Sequence, residues 1–430
     1  MKFSTGISRL TEAFGLKCFS FLLVFAPLMA AQADTLFLYD NGREGSPIIN
    51  MIQDARESID VEIYMMNDLR VQDAFLRAAH GTPTRKPVKV RILIEPHPYG
   101  DSCDIFGKRM SAASNDPADD KTGTADCRNL KSFKRALEKL GGEMHPFNKE
   151  LCGNGSASGG GVDQTITSCL QHGKVIVFDK TVALMSTGNF NASSFCDTKQ
   201  NPAACNRDFT LVMTKKAPVN NLITVFERDW IGQPYNIKRS LPRAAFNALT
   251  VSPFSMAPII GLIQSARTSI QITEQYLKDP TMNRALLAAA KSGVKVQVLV
   301  TSFCAFGAPE KSVKEALQLN YGAFEAAGIE TRAFTSAMRI GGQPGYQHAK
   351  AIIVDADRPG AANAWVGSVN GSTQSLTRNR EFGLLFNDPK PLTKLYASFR
   401  ADFTDPNSET WQESLMCLKD RKSRPSDDFY

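Results

Sequence analysis

Two stretches of this chain place the same reactive residues in the same order. Gln171-His172-Gly173-Lys174-Val175-Ile176-Val177-Phe178-Asp179 and Gln347-His348-Ala349-Lys350-Ala351-Ile352-Ile353-Val354-Asp355 both read H-x-K-x-x-x-x-D, with an apolar run between Lys and Asp. Each is followed by a hydroxyl residue and an Asn (Thr187 and Asn189; Ser368 and Asn370), then by Asn-Arg-acid-Phe (Asn206-Arg207-Asp208-Phe209; Asn379-Arg380-Glu381-Phe382). Two His, two Lys and two Asn converging on one point would make a phosphodiester-cleaving site that needs no metal and no cofactor. One imidazole attacks phosphorus and forms a phosphohistidine; the other protonates the departing oxygen and then activates the acceptor. Lys174 and Lys350 neutralise the anion as point charges, and the amides of Asn189 and Asn370 add oriented hydrogen bonds. A carboxylate beside each His would fix its tautomer and raise its basicity, and Asp208 and Glu381 are the candidates.

A lone His beside an apolar strand is more often a core or surface histidine than a catalyst. The duplication reverses that weighting for His172 and His348, while His80, His97 and His145 have no matching copy and read as structural or solvated. Asp179 and Asp355 sit five residues past Lys and are expected to brace the fold. Asp208 and Glu381 could instead be ordinary partners of Arg207 and Arg380. Gln171 and Gln347 either line the pocket or recur by coincidence.

The elements that must hold these groups repeat as well. Pro47 to Ile59 aligns with Pro258 to Ile270, and the apolar residues Ile48, Ile49, Ile52, Ala55 and Ile59 fit one helical face. Each copy continues with a β-rich stretch (Ile59 to Met65; Ile270 to Tyr276), a helix (Val71 to Ala79; Met282 to Lys291) and a strand (Val88 to Ile94; Val294 to Val300). Such alternation predicts an α/β fold of helices on sheets. Lys174 to Asp179 and Lys350 to Asp355 read as short strands, in which positions i and i+2 share a face. His172 and Lys174 would then reach one pocket, as would His348 and Lys350, with Gly173 or Ala349 on the face where bulk is unwelcome.

At 430 residues the chain is long enough for two well-packed halves, and 43% hydrophobic against 22% charged residues excludes a disordered protein. Residues 1–33 read as a secretory signal: a basic start, the apolar run Cys18 to Met29, and Ala31-Gln32-Ala33 as a small-x-small cleavage site before Asp34. That run is short of the ~20 residues a spanning helix needs. The remaining chain divides into 34–240 and 241–430, with the boundary in Gly232 to Ser255. The net charge of +7 suits an anionic substrate but also an ordinary surface. Eight cysteines follow the leader, an even number that fits disulfides in an oxidising compartment. Chain proximity favours Cys103–Cys127, Cys152–Cys169 and Cys196–Cys205, leaving Cys304–Cys417. The first half holds extra material at 97–129 and 151–163, either a rim to the pocket or a disulfide-pinned elaboration.

Taken together, the duplicated motifs resemble the phospholipase D superfamily over essentially the whole mature chain. The resemblance implies two tandem repeats, each a mixed sheet flanked by helices, packed with pseudo-twofold symmetry so that both motifs meet between them. It implies that His172 and His348 face each other across the scissile phosphate, with His172 as nucleophile and His348 as acid. Lys174, Lys350, Asn189 and Asn370 would bind the non-bridging oxygens, and Asp208 and Glu381 would hydrogen-bond the histidines. The chain departs from the family pattern in two places. Ser186-Thr187-Gly188-Asn189 stands where Gly-Ser-x-Asn is usual, and Asp355 to Asn370 is five residues longer than Asp179 to Asn189. Neither should displace the Asn. The expected activity is secreted phospholipase D: hydrolysis of glycerophospholipid headgroups to phosphatidic acid at a membrane surface, with transfer to small alcohols, by a monomer carrying both motifs. Metal-independent cleavage of nucleic acid is the alternative, a cardiolipin-synthase-like transferase comes third, and a silent lipid- or nucleic-acid-binding protein is the reading from another class. Ser302 to Phe306 and Leu376 are the modest hints of an apolar pocket mouth.

Overall fold

A computed structural model describes residues 35–98, 103, 105–106, 125–153, 169–197, 199, 204–237, 248–305, 307–358 and 360–420. The leader, most of the 97–129 insertion, the Gly-rich part of 151–163 and part of the boundary segment lie outside the described residues.

The first half contributes β1 (Leu36–Asp40), β2 (Ser58–Ile63), β3 (Lys89–Ile94), β4 (Glu143–Pro146), β5 (Lys174–Phe178), β6 (Val182–Ser186), β7 (Cys205–Arg207) and β8 (Phe209–Met213). The second contributes β9 (Leu249–Val251), β10 (Ser269–Glu274), β11 (Lys295–Thr301), β12 (Glu330–Phe334), β13 (Arg339–Ile340), β14 (Gln343–Gln347), β15 (Ala351–Val354), β16 (Asn363–Gly367), β17 (Phe382–Phe386) and β18 (Glu409–Thr410). One sheet runs β1-β8-β6-β5-β2-β3-β4; the other runs β9-β17-β16-β15-β10-β11-β12-β18. The two orders are the same apart from the added edge strand β18. Each half is thus one copy of the same mixed α/β unit, and the two are related by a pseudo-twofold.

Within each copy the strands β2, β3 and β4, or β10, β11 and β12, are parallel, and helices make the crossovers. The helix Leu69–His80 begins where Asp68 accepts hydrogen bonds from the amides of Arg70 and Val71. It buries Val71, Ala74, Phe75, Ala78 and Ala79 on its sheet-facing side. Its counterpart Pro280–Lys291 is capped in the same way by Asp279, with Pro280 in its first turn. Three large apolar clusters result, with a fourth, smaller one around Leu93, Phe147, Leu151 and Phe226. One lies within each half outside its sheet; the third, central one joins residues of both sheets with the helices Lys216–Ile231 and Pro389–Phe403. Burying that shared face couples the halves, since its apolar area leaves water only when they meet.

The motif aspartates do brace the turn that starts each central strand. Asp179 Oδ1 accepts from the amides of Glu57 (2.7 Å) and Ser58 (3.0 Å); Asp355 Oδ1 accepts from those of Arg267 (2.8 Å) and Thr268 (2.7 Å). Both aspartates adopt positive φ, a conformation that Asp tolerates better than most residues. The longer second hairpin leaves the register untouched: Ile352 pairs with Trp365 as Ile176 pairs with Leu184. Trp365 bears on the other departure, together with the Phe382 carbonyl oxygen, which lies 2.4 Å from a Cβ built on Gly367. A Cβ on Gly367 or Gly383 would meet the indole at 2.7 Å or 2.3 Å. In the first half Leu184 stands in the place of Trp365, and the smaller side chain leaves room for Ser186 and Thr210.

All four expected disulfides are present, with Cα–Cα distances of 4.6 to 6.3 Å. Cys169 and Cys205 lie three residues upstream of His172 and Asp208, so two of the bridges tether segments that lead into the motif residues. No helix among the described residues is long and apolar enough to cross a membrane.

Candidate active site

His172 and His348 lie just ahead of β5 and β15 rather than inside them, and they are held by backbone from the opposite half. The His172 amide donates to the Arg380 carbonyl (2.8 Å) and the Arg380 amide to the Leu170 carbonyl (2.8 Å). Equivalently, β14 pairs in parallel with β7, setting Gln347 beside Arg207, and the His348 amide donates to the Arg207 carbonyl (3.3 Å). Each H-x-K segment is therefore registered against the Asn-Arg-acid segment of the other repeat.

That registration sets the next residue of each segment beside the opposite imidazole. His172 Nδ1 is 2.8 Å from Glu381 Oε2, and His348 Nδ1 is 2.9 Å from Asp208 Oδ1. The sequence named both carboxylates; the structure adds that they are exchanged between halves. An ionised carboxylate only accepts, so each Nδ1 carries the proton and each Nε2 is left for chemistry. Thr187 supports Asp208 by donating to its Oδ1 (2.8 Å), and Ser368 takes the corresponding position beneath Glu381. The Thr at the variant position thus keeps the hydroxyl that holds the acid.

Burial drives His172 down from 6.5 to about 4; Glu381 opposes the shift, while Lys174 and, from the other half, Lys350 add to it. His172 is a neutral imidazole at neutral pH. Burial alone would raise Glu381 and Asp208, yet contact with His172 and Lys174, and with His348 and Lys350, holds both below the usual range. Lys174 and Lys350 are fully buried and donate to the carbonyls of His172 and His348. Asn189 and Asn370 are also buried, and neither Oδ1 accepts a hydrogen bond. A buried polar atom without a partner calls for an explanation, and a bound ligand would supply one. Gly173 is required by space: a Cβ would sit 2.4 Å from the Phe382 ring.

Behind each acid, the motif arginine reaches a buried aspartate of the other half, Asp229 for Arg380 (2.7 Å) and Asp402 for Arg207 (2.5 Å), and Arg207 also pairs with the buried Asp40 of its own half (2.5 Å). Where Arg207 has Asp40 as its second carboxylate, the Arg380 side has the buried Glu62, which accepts from Gln171 Nε2 (3.0 Å). Burial, with Asp229 beside it, raises Glu62 well above its ordinary range. The unfolded Glu62 ionises first, so this group loses stability for the fold as pH rises from the unfolded toward the folded value. Glu62→Gln should therefore flatten the pH dependence of the melting temperature and raise it at pH 8 relative to wild type. A variant that melts lower at pH 8, with an unchanged slope, would refute a neutral Glu62.

A family profile described as "Cardiolipin synthase, PLD-like domain" matches residues 48–230 and 259–404. The chain belongs to the phospholipase D-like family. No curated protein matches it. Among solved structures, phosphatidylserine synthase of Haemophilus influenzae is similar over 88% of both chains at 15% identity and a TM-score of 0.57. Polyphosphate kinase of Porphyromonas gingivalis is similar at 14% identity and a TM-score of 0.54, covering 86% of this chain. The chain spans half the length of that kinase (50%). These likenesses show the fold. A phospholipase D family member from Salmonella typhimurium, Nuc, is 25% identical over 36% of this chain, with a TM-score of 0.29.

In this phospholipase D-like site several neighbours escaped the sequence reading because they are not duplicated. The Tyr64 ring lies 5.1 Å from that of His172 and 5.5 Å from Lys174 Nζ. Glu274 is buried near Lys350 and accepts from the Gly371 amide (3.1 Å); burial holds it well above the carboxylate range. Its counterpart is Ile63. Gln171 and Gln347 are brackets rather than pocket lining, donating to Glu62 and to the Ala349 carbonyl. The hints of an apolar mouth do not hold: Leu376 is buried, Cys304 is bridged to Cys417, and Phe303 packs on Tyr321 at 4.9 Å. Phe306 lies outside the described residues. His145 stacks on Trp230 at 4.1 Å, in a structural role.

Proposed function

We propose that this phospholipase D-like phosphodiesterase is exported and acts on glycerophospholipids, releasing the headgroup alcohol and leaving phosphatidic acid. The exchanged His–carboxylate pairs carry the phosphodiesterase part of the reading, because each holds its imidazole by Nδ1 and leaves Nε2 for a phosphate. Neutral His172 Nε2 attacks phosphorus; the N–P bond forms as the bond to the headgroup oxygen breaks. His348 gives that oxygen its proton. His348 then takes a proton from water, whose oxygen displaces His172 and regenerates the enzyme. An alcohol in place of water gives the transfer product. Lys174, Lys350, Asn189 and Asn370 hold the non-bridging oxygens. The family profile and the phosphatidylserine synthase likeness, both named for phospholipid enzymes, support a lipid over a nucleic acid substrate. Four disulfides support export.

The test offers mature protein phosphatidylcholine vesicles with ethanol and, separately, plasmid DNA, in the presence of EDTA. Phosphatidic acid and phosphatidylethanol from wild type are expected. DNA cleavage without lipid turnover would move the protein to the nuclease reading with the same residues, and loss of all activity in EDTA would overturn the metal-free scheme.

A further inference from the structure

The duplication supplies its own control for a second site. On the sheet face that carries the helix Lys216–Ile231, four residues form a closed ion-pair network. Arg91 reaches Asp60 (2.7 Å) and Glu227 (2.7 Å), and Lys180 pairs with Glu227 (3.0 Å) and with Asp60. The strand registers, together with the matched Asp229 and Asp402, align these four with Gln297, Gln271, Arg400 and Ala356. Every ion pair of the network is therefore lost in the second half. In its place is a cavity of about 350 Å³ lined by Gln271, Gln297, Tyr396, Arg400 and Phe403, and also by two carboxylates that are already engaged: Glu330 by Gln297 (2.7 Å) and Lys295 (3.7 Å), and Asp357 by the hydroxyls of Thr268 and Ser269.

Three features of this cavity ask for a ligand. Gln271 is 3% exposed, and its Oε1 accepts no hydrogen bond, so the buried acceptor calls for a donor. Arg400 is exposed and, among the described residues, pairs with no carboxylate; its guanidinium reaches the Tyr396 hydroxyl at 3.5 Å. Tyr396 and Phe403 add aromatic walls. The volume lies at the low end of ligand sites, which run from about 300 Å³ upward, so it suits a small molecule rather than an acyl chain. β10 links this cleft, at Gln271, to the catalytic pocket at Glu274, three residues or about 10 Å along the strand.

We propose that the cleft binds a small hydroxylated phosphate ester, of the glycerol phosphate kind, either free or as a lipid headgroup. Its phosphate meets Arg400, whose planar fork matches a phosphate's oxygens. A hydroxyl donates to Gln271 Oε1, and the carbon skeleton rests on the aromatic walls.

The test uses the first half's own residues as a plug. The variant Q271D/Q297R/A356K/R400E rebuilds the network of Asp60, Arg91, Lys180 and Glu227, and none of the four positions belongs to the catalytic machinery. Calorimetric titration with glycerol 1-phosphate should show two binding events in wild type, one of them at the catalytic pocket, and a single event in the plugged variant. Turnover should stay within about twofold. A milder variant, Gln271→Leu, guards against misfolding of the plug. It should weaken glycerol 1-phosphate about tenfold at this site while leaving inorganic phosphate unchanged, since only the hydroxyl contact is lost. Flotation with phosphatidylglycerol vesicles separates the two sources. Loss of flotation in the plugged variant assigns a headgroup; unchanged flotation alongside lost glycerol 1-phosphate binding assigns the free ester. Equal numbers of events in wild type and plug, or no second event in wild type up to about 10 mM, would overturn the proposal.

Discussion

His172→Ala should abolish turnover, lowering kcat/KM by at least about 10⁴-fold, and His348→Ala should do so with a different kinetic signature. The difference follows from the two tasks. A substrate whose headgroup is p-nitrophenol needs no proton on its leaving oxygen. With that substrate the His348→Ala enzyme should release a burst of p-nitrophenol equal to the enzyme present, then stall, because nothing activates water for the second step. The stalled enzyme should carry acid-labile phosphate on His172. His172→Ala should give no burst with any substrate. A burst from His172→Ala and none from His348→Ala would exchange the two roles; a burst from neither would remove the covalent step.

Glu381→Gln should cost about 10² to 10⁴-fold in kcat/KM while leaving the fold intact, because the amide keeps the shape but not the charge that orients and supports His172. Its pH profile gives the sharper test. Burial holds His172 down to about 4, and Glu381 is the contact that raises it. Protonated His172 cannot attack, so the acid limb of wild-type kcat/KM should fall near pH 4. Removing Glu381 lowers His172 further and should move that limb to lower pH. A limb that moves upward, or an activity within threefold of wild type at neutral pH, would mean that Glu381 does not act through His172. Asp208→Asn makes the matching test for His348, and the cross-paired geometry separates the variants: each should disturb the histidine of the opposite half.

The repeat made much of this legible in advance. Periodicity placed both helix–strand alternations to within a few residues, because short apolar runs bounded by caps such as Asp68 and Asp279 leave little choice. The candidate catalytic set was readable because it is duplicated. For the same reason Glu274, Tyr64 and Glu62 were not: their counterparts are Ile63, Gln275 and Thr273, so no second copy marks them. Which carboxylate serves which histidine was out of reach for another reason. It depends on a parallel pairing between segments about 140 and 209 residues apart (Asp208 with His348, His172 with Glu381), which no local pattern encodes. The apolar-mouth hints failed because hydrophobicity alone does not distinguish a lip from a core, and Leu376 and Phe303 pack inward.

The exchange of carboxylates and arginines between halves has a consequence if the enzyme is exported, as proposed. A site whose every histidine is completed by the other copy would, in two separate chains, exist only where those chains are concentrated enough to associate. Outside the cell, dilution would dismantle it. Joining the copies in one polypeptide makes their encounter intramolecular, at an effective concentration on the order of millimolar however thin the surrounding solution. The specific activity of this protein should therefore stay constant upon dilution.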